Sequence, residues 1–185
     1  MDRSPWHPHP LRPRRINLPW RAFARTLGAG ALIAAGLTVG CAQLASRLTV
    51  NFTTSMPRGL YWLGPTRPLT RGTIVSLPVP VDVRALVAER HYLPSNFHLL
   101  KRVVALPGDR VCIEGHRYVV GDQLLSPIAE RDQGGRPLTP YLFCSTVPPG
   151  TAFVAASGAS SLDSRYFGPV SLNDLTPAVP LWTSY

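Results

Sequence analysis

The chain changes character near residue 47. Residues 26–46 read TLGAGALIAAGLTVGCAQLAS, 21 positions without a charge. That length suits one helical crossing of the hydrocarbon layer, which takes about 20 residues. Beyond it, short apolar runs alternate with turn-forming residues, the pattern of strands rather than helices. Residues 60–63 (LYWL) are closed by Gly64-Pro65, and residues 72–77 (GTIVSL) are rich in β-branched side chains and stop at Pro78. Residues 99–106 are apolar on both sides of Lys101-Arg102 and end in Pro107-Gly108-Asp109. Residues 110–114 and 117–120 flank Gly115-His116 as a hairpin, and residues 151–156 follow Pro148-Pro149-Gly150. One short helix is predicted over 82–91, with Val83, Leu86 and Val87 spaced for a single face. The expected fold class is mainly β: an irregular antiparallel β domain behind one N-terminal transmembrane helix.

Three regions follow. Residues 1–25 form a basic tail whose prolines, Pro5, Pro8, Pro10, Pro13 and Pro19, leave nothing to bury, so disorder is expected there. Residues 26–46 form the anchor and residues 48–185 the folded domain, within which about 118–147 reads as a variable insertion. Charge adds an orientation. Residues 1–47 carry seven Arg against Asp2 alone, while residues 48–185 carry eleven Arg and Lys101 against nine acids. Arg12, Arg14, Arg15, Arg21 and Arg25 precede the span and only Arg47 follows closely. The positive-inside bias then keeps the N-terminus in the cytoplasm and exports the domain, as a single-pass inner-membrane protein facing the periplasm. A cleaved leader, or a lipid attached at Cys41, are the other readings of the span, and both also export the domain. Because orientation accounts for the basic arm, nucleic acid is not an expected partner. Cys112 and Cys144 lie in the exported part, either bridged in an oxidising compartment or buried as two thiols.

One compositional fact bears on chemistry. Among nineteen basic residues, eighteen are Arg and one is Lys101. Arg stays charged in a protein, whereas a desolvated Lys can lose its proton. Period-2 alternation puts Lys101 on the face of Leu99, Val103 and Ala105. An amine among such neighbours loses hydration and its pKa falls. A neutral lysine acting as base needs an acidic proton nearby, and a serine hydroxyl is the usual donor. Many serines are available. Ser55, in Asn51-Phe52-Thr53-Thr54-Ser55-Met56-Pro57-Arg58-Gly59, is singled out by position: Pro57 holds Met56 extended and Gly59 permits a turn. It lies nine residues past Ser46, at most ~30 Å of extended chain. Phe52, Leu60, Tyr61 and Trp62 are candidates for the bilayer interface, the core or a substrate groove.

Three segments carry a resemblance. Ser55-Met56-Pro57, then Lys101-Arg102-Val103-Val104-Ala105-Leu106-Pro107-Gly108-Asp109, then Ser161-Leu162-Asp163-Ser164-Arg165-Tyr166-Phe167-Gly168-Pro169-Val170 resemble the signature boxes of type I signal peptidases, in the same order after a membrane span. Gly72-Thr73-Ile74-Val75 resembles a fourth, structural box. The resemblance implies a Ser–Lys dyad of nucleophile Ser55 and base Lys101. It implies Thr53 as an oxyanion donor beside the Ser55 amide, Ser161 as the residue orienting the lysine, and Asp163 with Arg165 as a supporting ion pair. A carboxylate close to Lys101 would raise its pKa and oppose the base role. The family's Gly-Asp-Asn-Arg stretch is replaced by Ala156-Ser157-Gly158-Ala159-Ser160, and the first box continues as Pro57-Arg58-Gly59-Leu60-Tyr61. Both features are more similar to the TraF-type peptidases of conjugative transfer.

What the resemblance implies is a membrane-bound endopeptidase without metal or cofactor. Its partners are the membrane and an exported precursor with small residues near the cut, a pilin precursor in conjugation, with cyclisation as an added outcome. A housekeeping leader peptidase, a self-cleaving repressor-type protease and a non-catalytic anchored β domain are the rival readings. Fractionation separates them in part: the chain is expected to stay with membranes through a carbonate wash, whereas recovery as a soluble protein fits the repressor-type protease.

Overall fold

A computed structural model describes residues 20–64, 68–94 and 97–184. The expected tail therefore lies outside the described residues up to position 19, as does Pro65. The helix α1 spans Trp20–Ala45, starting before the expected residue 26. Its segment Leu27–Ala45 has a mean hydropathy of 1.6, none of it buried, and is long and apolar enough to cross a membrane once.

Residues from 44 onward form a separate compact unit. Its main sheet uses β1 (Leu48–Asn51), β2 (Arg58–Leu63), β3 (Ile74–Pro78), β4 (His98–Ala105), β9 (Thr151–Ala155), β10 (Val170–Ser171) and β11 (Thr176–Ser184). A smaller sheet uses β5 (Arg110–Glu114), β6 (Arg117–Val120), β7 (Gln123–Pro127) and β8 (Ser145–Thr146). The strand orders are β1-β2-β11-β3-β4-β9-β10 and β7-β6-β5-β8, with antiparallel pairing throughout. This is the mainly antiparallel β architecture expected. The helix α2 (Val81–Glu89) buries Val83 and Val87 against Val75, Leu77, Leu99 and Val103. A second core joins Ala105 and Phe153 to Val111, Tyr118, Val120, Leu125 and Val147, so strands within the range read as an insertion help to fill the interior. Cys112 and Cys144 are joined by a disulfide that extends the β5–β8 pairing.

The strand that completes the main sheet escaped the sequence pattern. β11 carries Pro177 and Pro180, which normally argue against a strand. It nevertheless pairs with β2 on one side and β3 on the other, with an irregularity between Pro180 and Trp182. Gly59 is part of this joint rather than of a turn. It lies within β2 at φ 145°, and a Cβ there would meet the Trp182 carbonyl oxygen at 2.0 Å.

The pairing registers also sort the outer side chains. Leu48, Trp62 and Val179 form one cross-strand row, and Val50, Leu60 and Trp182 another. Cross-strand partners share a face, and this face is exposed or half-exposed along its length. Tyr61, between Leu60 and Trp62, points the other way and is buried. Gly59→Ala is expected to cost on the order of 3 kcal/mol or more of stability, because both the φ angle and the close backbone oppose a side chain. A denaturant melt measures it; an unchanged midpoint would show that β11 can move aside.

Candidate active site

The turn between β1 and β2 presents Ser55, and a buried asparagine shapes that turn. Asn51 Nδ2 donates to the carbonyls of Met56 (2.8 Å), Pro57 (3.1 Å) and Thr53 (3.2 Å). Its Oδ1 accepts the Thr53 N–H at 3.1 Å and the Thr53 hydroxyl at 2.8 Å. Three carbonyls on one side and an N–H on the other fix which end of the amide is which. Thr53 Oγ1 also lies 2.9 Å from Ser55 Oγ. A threonine hydroxyl has one proton, and Asn51 Oδ1 can only accept, so that proton goes to Asn51. Ser55 is then the donor in the Ser55–Thr53 hydrogen bond.

Lys101 sits mid-strand on β4, facing inward with Leu99, Val103 and Ala105 as alternation predicts. It is 3% exposed. Its Nζ donates to Ser161 Oγ at 2.6 Å. Burial pushes the Lys101 pKa down to about 8; Asp163 pulls it upward and Arg165 pushes it further down. Asp163 thus works against a neutral amine, but its charge is largely answered by Arg165 beside it.

Asp163 and Arg165 have fully buried side chains. Arg165 Nε donates to Asp163 Oδ1 at 2.8 Å and its NH2 to Oδ2 at 2.7 Å. The same guanidinium donates to the carbonyls of Pro127 (2.8 Å) and Gly158 (2.6 Å). Asp163 in turn accepts the Ala156 N–H at 3.0 Å and the Arg165 N–H at 3.2 Å. The pair therefore ties β7 and the loop after β9 to one point, and Ser161 lies on that loop.

Thr53, Ser55, Lys101 and Ser161 all line one cavity of about 340 Å³. Its other polar lining includes Thr54, Arg58 and Ser160, and its apolar lining is Leu93, Leu99, Leu138 and Leu162. Asp163 and Arg165 support the cavity without lining it. Cys112 and Cys144 take no part in it. Among the described residues, no histidine lines it, though Asp132 and Gln133 do. The sequence pattern alone assigns Asn51 no role. An asparagine's habit of folding its side chain back on nearby backbone was the signal available.

Residues 20–182 match the family described as signal peptidase, peptidase S26, and the chain belongs to that family of serine peptidases. Several similar proteins carry conjugal or plasmid transfer names. The conjugal transfer protein TraF of Agrobacterium fabrum (strain C58) is 37% identical over 166 residues, covering 81% of this chain and 89% of that protein. A plasmid transfer protein TraF of Escherichia coli is 34% identical over 164 residues, covering 83% and 90%. Among solved structures, a signal peptidase I of Enterococcus faecalis covers 62% of this chain and 99% of its own, at 20% identity and a TM-score of 0.39.

The lowered lysine pKa has a stability consequence. Between about 8 and the unfolded value near 10.4, the unfolded chain binds the proton that the folded chain has released, so stability rises with pH across that window. Lys101→Met removes this slope. Its stability relative to the natural chain is expected to decline by about 2 kcal/mol from near pH 7 to about pH 10, since each unit is worth ~1.4 kcal/mol. Parallel stability curves across that range would place the folded-state pKa at its ordinary value.

Proposed function

We propose that this chain is a membrane-anchored serine endopeptidase in which Ser55 is the nucleophile and Lys101 its general base. The observation that carries the reading is a buried amine with a pKa near 8, lining the same cavity as the serine hydroxyl. A lysine in that state is close to the ideal for a base working near neutral pH. The reaction begins as Ser55 turns its proton from Thr53 to neutral Lys101 and Oγ attacks the substrate carbonyl. The Ser55 N–H stabilises the resulting oxyanion. Thr53 joins it only by releasing Asn51, because its one proton is otherwise committed there. Lys101 then hands the proton to the leaving amine, and an acyl-enzyme remains. Water completes hydrolysis; capture by the precursor's own amino group instead gives a cyclic product. Ser161 holds the amine in place, and Asp163 with Arg165 holds the loop that carries Ser161.

The substrate we assign is an exported precursor with small residues before the cut, a pilin precursor processed for conjugative transfer. The transfer names of the relatives support this choice. The domain faces the periplasm from the inner membrane, consistent with Arg12, Arg14, Arg15, Arg21 and Arg25 before the span. We assign the exposed rows of Leu48, Val50, Leu60, Trp62, Val179 and Trp182 to the bilayer interface. Only Ser46 and Arg47 lie between Ala45, the last residue of α1, and Leu48, the first of β1. Tryptophan favours that interfacial depth.

Co-expression with the pilin-like precursor tests the dyad. Ser55→Ala and Lys101→Arg are each expected to slow its processing by at least ~10³-fold. Normal processing by Lys101→Arg would remove the base role, because arginine keeps its charge. For the natural enzyme, kcat/KM should rise with pH to a plateau above about 8, as the amine loses its proton. A flat profile below that value would contradict the assignment.

A further inference from the structure

One wall of the cavity comes from neither the proposed dyad nor the three boxes. Leu93 follows α2, and Asp132, Gln133 and Leu138 belong to the loop between β7 and β8. A single carboxylate fastens that loop. Asp132 Oδ2 accepts from the Tyr92 hydroxyl (2.5 Å), Arg136 Nε (2.8 Å) and Arg90 (3.3 Å). Its Oδ1 accepts the main-chain N–H groups of Gly134 and Arg136, each at 2.9 Å. Burial works against its charge, but the Tyr92 hydroxyl and the Arg136 contacts outweigh that and hold the carboxyl well below the usual range.

The loop is held elsewhere too. Arg90 donates to the Pro137 carbonyl at 3.0 Å, and the Leu138 N–H donates to the Glu130 carbonyl at 2.8 Å. Loops of this kind are usually loosely held. Here the end of α2 grips the segment immediately before Leu138 at two points, Asp132 and Pro137. Leu138 and Leu93 then supply half of the cavity's leucines, opposite in origin to Leu99 and Leu162, which come from β4 and the third box.

We propose that the loop over residues 130–138 is the selectivity wall of the peptidase cavity: Leu138, with Leu93, limits the size of an aliphatic substrate side chain before the scissile bond, and Asp132 is the positioning residue that keeps Leu138 in place. The inference rests on the peptidase reading above. An apolar pocket discriminates by roughly 10–200-fold for small changes in side-chain size. Shortening Leu138 makes room that a larger substrate side chain fills. Releasing Asp132 lets the wall drift, which weakens binding without touching the proton transfer.

The test uses the full chain in detergent with internally quenched, alanine-rich peptides. One of the three residues before the cut is varied at a time among Ala, Val, Leu and Phe. Leu138→Ala is expected to raise kcat/KM for a Leu or Phe peptide at one of those positions by about 10-fold or more relative to the Ala peptide. Asp132→Asn should raise KM about 10-fold with the same relaxed selectivity, kcat within about threefold, and an unmoved pH profile. Unchanged selectivity in Leu138→Ala overturns the inference, even if Asp132→Asn fails to fold. So does an Asp132→Asn loss confined to kcat or accompanied by a shifted pH profile. Ser55→Ala separates the two levels. If it cleaves like the natural chain, the peptidase reading falls and takes this inference with it. If it is inactive while Leu138→Ala keeps the natural selectivity, only the wall assignment falls.

Discussion

The structure depends on keeping one ammonium group out of water. Lys101 is carried inward on the same face of β4 as Leu99, Val103 and Ala105, and α2 packs against Leu99 and Val103. Burial of this kind is unfavourable for a charge, and the system answers by lowering the pKa rather than by pairing the amine with a carboxylate. The carboxylate that acts on the amine, Asp163, is occupied by a bidentate contact with Arg165. That arrangement explains why the ion pair is buried. A carboxylate left free at that point would hold the proton on Lys101, whereas one neutralised by a permanently charged guanidinium leaves the amine close to its switching point.

Two layers of hydrogen bonding then convert a poised amine into a site. Ser161 fixes where Nζ points, and its loop is held by Arg165 through the Gly158 carbonyl. Asn51 fixes the turn that presents Ser55 and takes the Thr53 proton, so Ser55 rests with its own proton turned toward Thr53. In the proposed reaction that proton turns from Thr53 to Lys101, which lines the same cavity. β1 and β2 carry the serine and β4 the lysine, with β11 and β3 between them in the sheet.

Much of this was legible in the sequence where local rules decide. The alternation around Lys101 gave its inward face, and the lone lysine among eighteen arginines marked it for chemistry. The helix near residues 82–91 and most strands on the way to residue 156 followed from period and turn residues. What was not legible depends on partners distant in the chain. β11 looked unlike a strand because of Pro177 and Pro180, yet its neighbours on both sides supply enough pairing to keep it in the sheet. Gly59 looked like a turn residue, and only the approach of Trp182 shows why glycine is required. Asn51 and Asp132 each gather hydrogen bonds whose partners no single-window pattern reveals. Asp132 in particular meets Arg90 and Tyr92 some forty positions earlier in the chain.

The amine itself offers the most direct measurement. Because Lys101 is the only lysine in the chain, selective ¹³C labelling of lysine gives a single side-chain signal to follow by NMR as pH is raised. The account predicts a transition near pH 8, about two units below an ordinary lysine. A signal that stays protonated to pH 10 or above in the folded protein would contradict it.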